Sequence, residues 1–202
     1  MSTSTANISA AQVSELRNKT GAPMMDAKRA LQESNGDYEK AKKWLEQKGM
    51  ASAAKRAGRS ASNGVVEPYI HAGGQIGVLL ELDCETDFVA RTAEFKELAH
   101  ELAMQVAATD PKYVSMDEFP AGEAEELKER FRQEAIAQGK PENMAGNIAE
   151  GRFKKFAQPL VLLEQQYIRD DSKTVQQLVT DVARRTGENV VVRRFARFQV
   201  GA

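Results

Sequence analysis

VVEPYIHAGGQIGVLLELDC, residues 65–84, is the stretch in which the chain changes period. In its second half Ile76, Val78, Leu80, Leu82 and Cys84 alternate with Gly77, Leu79, Glu81 and Asp83, which predicts a strand with one buried face. AGGQ reads as the loop of a hairpin and VVEPYIH as the partner strand. Pro68 has no N–H to give to a ladder, so that partner belongs at a sheet edge. A lone hairpin is marginal in water and needs a third strand. ENVVVRRFARFQV, near the end of the chain, predicts it. Strict alternation there puts Val192, Arg194 and Phe198 on one face and Arg193, Phe195 and Arg197 on the other. Both faces carry apolar groups and both are expected to be covered. A second copy of the chain is a candidate cover, which makes a homodimer a hypothesis.

Upstream of the hairpin the period is helical. The N-terminus, MSTSTANISA, is small and polar; after a short tail Ser9 and Gln12 fit a capping box and Ile8 can staple onto Val13. The helix they open buries Val13 and Leu16 and stops near Thr20 and Gly21. Pro23 suits the first turn of a second helix, whose inner face is expected to carry Met24, Ala27 and Leu31. Asn35-Gly36-Asp37 supplies a turn and an N-cap for a third, through Tyr38, Ala41, Trp44 and Leu45, with Gly49 as its expected end. Residues 1–50 thus form a three-helix module with Trp44 in its core. Residues 51–64, ASAAKRAGRSASNG, carry Lys55, Arg56 and Arg59 without an acid and read as a basic linker.

Downstream, a helix over about 93–108 places Phe95, Leu98, Ala99, Leu102, Ala103, Val106 and Ala107 on one stripe, the pattern of a helix packed on a sheet. A second, from about Glu123, is closed by Gly139 and Pro141, and a third runs from about Glu142 to Ala157 before Pro159. PLVLLEQQYI is apolar without a clear period. Thr174 with Gln177 opens the last helix as another capping box, and Gly187 ends it. The fold class is therefore α+β: the helical module, the linker, and a small antiparallel sheet covered by helices in residues 65–202.

The composition narrows the function by exclusion. With 28 Lys and Arg against 29 Asp and Glu, the formal charge of -1 argues against a whole-protein grip on nucleic acid or anionic lipid. One cysteine cannot form an internal disulfide, and no run is long enough to span a bilayer; a reducing cytoplasm is the expected setting. No phosphate-cradling glycine motif, CxxC pair or histidine cluster is present, so neither a cofactor nor a metal is expected. His71 and His100 have no nucleophile in a recognisable context, Cys84 ends an apolar strand face, and Glu125 with Glu126 reads as a solvated helix face. No enzymatic chemistry is expected; the partner should be a macromolecule.

Two stretches carry a family resemblance. LRNKTGAPMMDAKRALQESNGDYEKAKKWL, residues 16–45, resembles the N-terminal module of elongation factor Ts proteins, and CETDFVARTAEF, residues 84–95, contains their Thr-Asp-Phe-Val-Ala signature. GENVVVRRF extends the similarity toward the C-terminus. The resemblance implies an exchange factor that binds elongation factor Tu in GDP-bound and nucleotide-free forms, displaces Mg2+ and promotes GDP release so that GTP can bind. It implies that Asp87 and Phe88, flanked by Thr86 and Val89, reach the GTPase near its magnesium, the Phe inserting between helices. Arg17, Met24 and Met25 would lie against a helix beside the nucleotide base. Short members are expected to lack the long helical hairpin of others, and some pair as homodimers. Two departures are Pro23, where a glycine is usual, and Ala196, which takes the place of a cysteine found in some short forms and so excludes that covalent bridge.

The residues alone leave other readings open. Burial tendency makes a Phe at a strand-to-helix corner a core residue by default. Met24 and Met25, being adjacent, cannot both be buried on one helix face. A helical adaptor that binds without altering nucleotide release is the first rival. An RNA-binding surface at the linker and at GRFKKF, residues 151–156, is the second, disfavoured by the net charge and by the lack of an aromatic stacking platform.

Overall fold

The structure, a computed structural model, describes residues 8–202; the expected short polar tail at the N-terminus falls outside the described residues. Three helices come first, α1 (Ala10–Thr20), α2 (Met24–Glu33) and α3 (Tyr38–Arg56). Ser9 opens α1 with both halves of its capping box, the Gln12 amide donating to the Ser9 hydroxyl at 3.2 Å and the Ser9 N–H donating to the Gln12 side chain at 2.9 Å. Gly21 ends α1 in the left-handed region at φ 63°, its N–H donating to the Arg17 carbonyl. Val13, Leu16, Ala27, Ala30, Leu31, Ala41 and Leu45 bury one another, with Ile8, Tyr38 and Trp44 half-buried around them.

Two expectations for this module change. Met24 is 45% exposed and Met25 71%, because the core takes only Ala27, Ala30 and Leu31 from α2 and its first turn overhangs it. The third helix does not stop at Gly49 but continues to Arg56, into the run read as linker. Gly49 is buried, and a Cβ there would come within 2.5 Å of the Arg184 side chain. It is thus a point of close approach inside a helix, where tertiary packing offsets the cost of about 1 kcal/mol that glycine carries. Arg56 then ties the end of α3 to the sheet domain by donating to the Ala183 carbonyl at 3.2 Å.

The sheet consists of β1 (Asn63–Ile70), β2 (Ile76–Cys84) and β5 (Val191–Gln199), all antiparallel in the order β1-β2-β5. Pro68 is on the edge strand, as its missing donor requires. Val78, Leu80, Leu82 and Cys84 pack against α5 (Ala93–Thr109) through Phe95, Leu98, Ala99, Leu102, Ala103 and Val106. Val175, Val179 and Val182 of α8 (Val175–Thr186) complete this core, α8 being opened by the Thr174–Gln177 capping box.

Strict alternation fails in β5. The register shifts by one residue opposite Glu81 and Leu82, so Val192 faces Leu82, Phe195 faces Leu80 and Arg197 faces Val78 on the inner side. Arg194, Ala196 and Phe198 lie opposite Glu81, Leu79 and Gly77 on the outer side. The extra residue, Arg193, donates from Nε to the buried Asp83 carboxylate at 2.8 Å and from its guanidinium to the Ala61 carbonyl at 3.1 Å. Arg197 spends its guanidinium on the Ala107 carbonyl at the end of α5. Among the described residues only the inner face is covered by the chain's own helices. On the outer face Val66, Ile70, Leu79 and Phe198 are exposed, Phe198 to 70%.

The other two predicted helices, α6 (Ala121–Ala137) and α7 (Glu142–Ala157), pack on each other as a helical hairpin and do not cover the sheet. The resemblance to short members implied no long hairpin, yet these two helices make one of 17 and 16 residues. A small core of its own, Phe119, Leu127, Phe153, Ala157 and Val161, sits at its base. The ambiguous apolar stretch forms two 3-10 turns there, followed by a two-stranded ribbon, β3 (Gln166–Tyr167) and β4 (Asp170–Thr174). Gln105, fully buried in α5, donates to Gln165 at 2.9 Å and accepts from the Ile168 N–H at 2.9 Å, anchoring this connector. Gly146 and Gly151 are exposed in α7 with open space where a Cβ would stand. Gly146→Ala and Gly151→Ala are each expected to stabilise the protein by roughly 0.5–1 kcal/mol, read as a rise in denaturation midpoint. An unchanged or lower midpoint would contradict this.

Candidate functional site

The signature residues form the corner between β2 and α5. After Cys84 the chain bends at Glu85, is extended again at Thr86 and then makes one helical turn, α4 (Asp87–Ala90). Thr86 caps that turn by accepting from the Val89 N–H at 3.4 Å. Thr92 closes it, donating to the Val89 carbonyl at 2.8 Å, and opens α5 by accepting from the Phe95 N–H at 3.3 Å. Ala90 is buried and Val89 packs against the sheet core. A single turn that directs those two inward must direct Phe88 outward, and Phe88 is 79% exposed. Asp87, beside it, is half-buried and pairs with Arg91 at 2.8 Å.

Groups a hundred residues away hold the corner from behind. The Glu188 carboxylate accepts from the N–H groups of Glu85 (3.0 Å) and Thr86 (3.1 Å) and from the Thr86 hydroxyl (2.6 Å). In return the Glu85 carboxylate accepts from the Asn189 N–H at 2.7 Å. Asn63 donates to the Glu85 carbonyl at 2.8 Å, and the buried Asn189 donates to the Arg59 carbonyl at 2.9 Å. The Cys84 thiol donates to the Thr86 carbonyl at 3.1 Å; burial foremost, with the Glu188 charge, pushes its pKa up to about 11. A fully buried thiol with that pKa should resist iodoacetamide at pH 8 in the folded protein and react once it is unfolded in denaturant, read by mass spectrometry. Its pKa also lies above the ordinary 9.0, so the unfolded chain releases this proton first and the thiol lowers stability as pH rises from about 9 toward 11.

Arg17, Met24 and Met25 are all exposed on the N-terminal module. Arg17 and Met24 line a shallow groove of about 460 Å³ with Gly21, Pro23, Arg184 and Arg185. A Cβ on Gly21 would come within 2.8 Å of the Arg185 side chain, whose guanidinium pairs with Glu94 in the first turn of α5. The structure therefore brings the two groups of residues to opposite flanks of one element, the C-terminal end of α8. Arg184 and Arg185 line the groove on one side, and three residues later Glu188 holds the corner of Thr86, Asp87, Phe88 and Val89 on the other. The periodicity of the sequence gives no sign of Glu188, Asn189 or Arg185; the GEN triplet that begins with the helix-ending Gly187 is the nearest signal. Among the described residues no group of three or more His, Cys, Asp or Glu is placed to hold a metal ion.

Comparison with known proteins bears on the same residues. The family model for Elongation factor TS matches residues 10–202. The chain belongs to the elongation factor Ts family. It is 54% identical over 194 residues to an elongation factor Ts of Caldanaerobacter subterraneus, covering 96% of this chain and 97% of that protein. To that of Moorella thermoacetica it is 53% identical, covering 96% of each. To that of Heliobacterium modesticaldum it is 49% identical, covering 96% of this chain and 90% of the relative. Family membership takes in both the helical module that carries Arg17, Met24 and Met25 and the exposed Phe88 corner. No helix is long and apolar enough to cross a membrane among the described residues.

Proposed function

We propose that the chain is a guanine-nucleotide exchange factor that binds elongation factor Tu with GDP bound, displaces Mg2+ and promotes GDP release so that GTP can bind. Family membership supports this, and the observation that carries it is Phe88, a large apolar side chain left exposed on a corner held by hydrogen bonds on every side. Leaving such a side chain in water forgoes roughly 1.5–3 kcal/mol that burial would return, which a partner's apolar pocket can recover. Phe88 acts as the wedge and Asp87 approaches the magnesium side, with Thr86 and Val89 fixing the turn. Asp87 must first leave Arg91, at a cost of about 0–1 kcal/mol for so exposed a pair. Arg17, Met24 and Met25 make the second contact, where the adaptable methionine side chains suit a protein surface.

The energy comes from linkage. A factor that prefers the nucleotide-free GTPase weakens nucleotide binding by the same ratio that nucleotide weakens its own. Accelerating release a thousandfold requires about 4 kcal/mol of preferential stabilisation at the barrier. The factor speeds equilibration without setting its endpoint, and it makes and breaks no covalent bond, so it is not an enzyme. It works in the cytoplasm without a cofactor, a direct nucleic-acid contact or a membrane. Residues 1–50 act as the module, the basic stretch 51–64 as the connector, its first turns helical, and 65–202 as the α+β domain.

The outer sheet face supports a homodimer, with Val66, Ile70, Leu79 and Phe198 of two copies apposed. Light scattering that finds only monomer at micromolar concentration removes that part. Release of fluorescent GDP from purified elongation factor Tu, followed by stopped flow, tests the main proposal. Acceleration that grows with factor concentration and saturates supports it; binding with no change in release leaves the adaptor reading in its place.

A further inference from the structure

The exchange reading needs Phe88 to be held out into solvent, and nothing in α4 alone can do that, since a single helical turn is below the length at which helices persist in water. The corner is held from outside, and one side chain makes three of the hydrogen bonds that hold it. Glu188 follows the C-terminal glycine of α8, and its two carboxylate oxygens take the Glu85 N–H, the Thr86 N–H and the Thr86 hydroxyl. Those two amides come just after β2, and no ladder partner is available to them, because the β1–β2 pairing ends at Asn63 and Cys84. The hydroxyl that donates to Glu188 is also the one that accepts from Val89, so the carboxylate fixes the rotamer of the capping residue as well as its backbone. An aspartate here is one methylene shorter and cannot span all three donors, and a glutamine presents an NH2 group to at least one of them.

We infer that Glu188 is a positioning residue for exchange: it acts through Thr86 to aim Phe88 at the GTPase and makes no contact with the partner itself. This rests on the proposal that Phe88 is the wedge. On the same element Arg185 faces the N-terminal module and pairs with Glu94, so α8 sets the aim of the wedge and the placement of the second contact together.

The test is a double-mutant cycle on GDP release from elongation factor Tu with wild-type protein, Phe88→Ala, Glu188→Gln and the double variant, each over a concentration series. Glu188→Gln is expected to lower the saturating release rate roughly tenfold, the worth of a charged hydrogen bond. The double variant should release GDP no more slowly than Phe88→Ala alone, because a misaimed alanine has nothing further to lose. Amide exchange at Glu85 and Thr86 should quicken in Glu188→Gln while the amides of α5 keep their protection, which a general loss of stability would not produce. Should Glu188→Gln fail to fold, Thr86→Val, which removes the hydroxyl from the same contact, takes its place in the cycle with the same expectation. Three outcomes overturn the inference. If Glu188→Gln matches wild type while Phe88→Ala loses acceleration, the wedge stands without its positioner. If the two losses multiply in the double variant, they are independent. If Phe88→Ala accelerates release as well as wild type, the wedge itself is removed.

Discussion

Phe88→Ala is expected to slow factor-stimulated GDP release by about a hundredfold while leaving the thermal unfolding of the factor unchanged. The two halves of that expectation come from one number. At 79% exposure the ring contributes little to the fold, so its removal should alter stability by no more than about 0.5 kcal/mol. An aromatic side chain that becomes fully buried at an interface typically accounts for roughly 2–4 kcal/mol. If that burial is completed only as the nucleotide leaves, the loss falls on the release rate and not on initial binding. Stopped-flow release at saturating factor reads the first half and calorimetry the second. A variant that releases GDP at the wild-type rate would move the exchange contact to Asp87 or to the methionines of α2. One that melts well below wild type would mean that the ring supports the corner it stands on.

Phe95→Ala should have the opposite profile, with stability lost first. Phe95 is the largest of the fully buried side chains among the described residues, set in the first turn of α5 and in the same buried cluster as Leu80 and Leu82. Truncating such a residue costs about 3–5 kcal/mol, through lost transfer energy and the cavity left behind. That is a large share of the roughly 5–15 kcal/mol that holds a typical domain. Denaturant unfolding should show the midpoint falling with little change in slope, and a loss below about 1 kcal/mol would mean that the surrounding leucines collapse into the space. Phe88 and Phe95 are seven positions apart, about two helical turns, and in the sequence they look alike.

That contrast shows what could be read in the residues beforehand and what could not. The capping boxes at Ser9 and Thr174 were legible because all their atoms lie within four residues, and Pro68 named an edge strand through the one hydrogen bond it cannot make. The stripe from Phe95 to Val106 named the helix that covers the sheet. Interactions between distant parts of the chain were not legible. Gly49 reads as a helix end on its own, and only the approach of Arg184 explains why the helix needs a glycine in its interior. The shifted register of β5 depends on Asp83 and Ala61 drawing Arg193 out of phase. The exposure of Met24 depends on how far the small core extends. At the site, the signature named Asp87 and Phe88 through family resemblance, while the side chain that holds them is 102 positions from Thr86 and carries no local pattern.

The continuation of α3 to Arg56 has a consequence for how the two halves of the molecule are geared to each other. With a flexible tether the distance between Met25 and Phe88 would be statistical, and a residue more or less would hardly matter. A helix anchored at its far end to the Ala183 carbonyl behaves as a keyed shaft. Each residue inserted between Trp44 and Arg56 would advance the module by about 1.5 Å and turn it by about 100°. One added residue would swing the methionines away from their present bearing relative to Phe88, and four would bring them back to within about 40° of it. The spacing between the two proposed contact surfaces is therefore counted in turns, and insertions in this segment are expected to be tolerated only in steps that restore the phase.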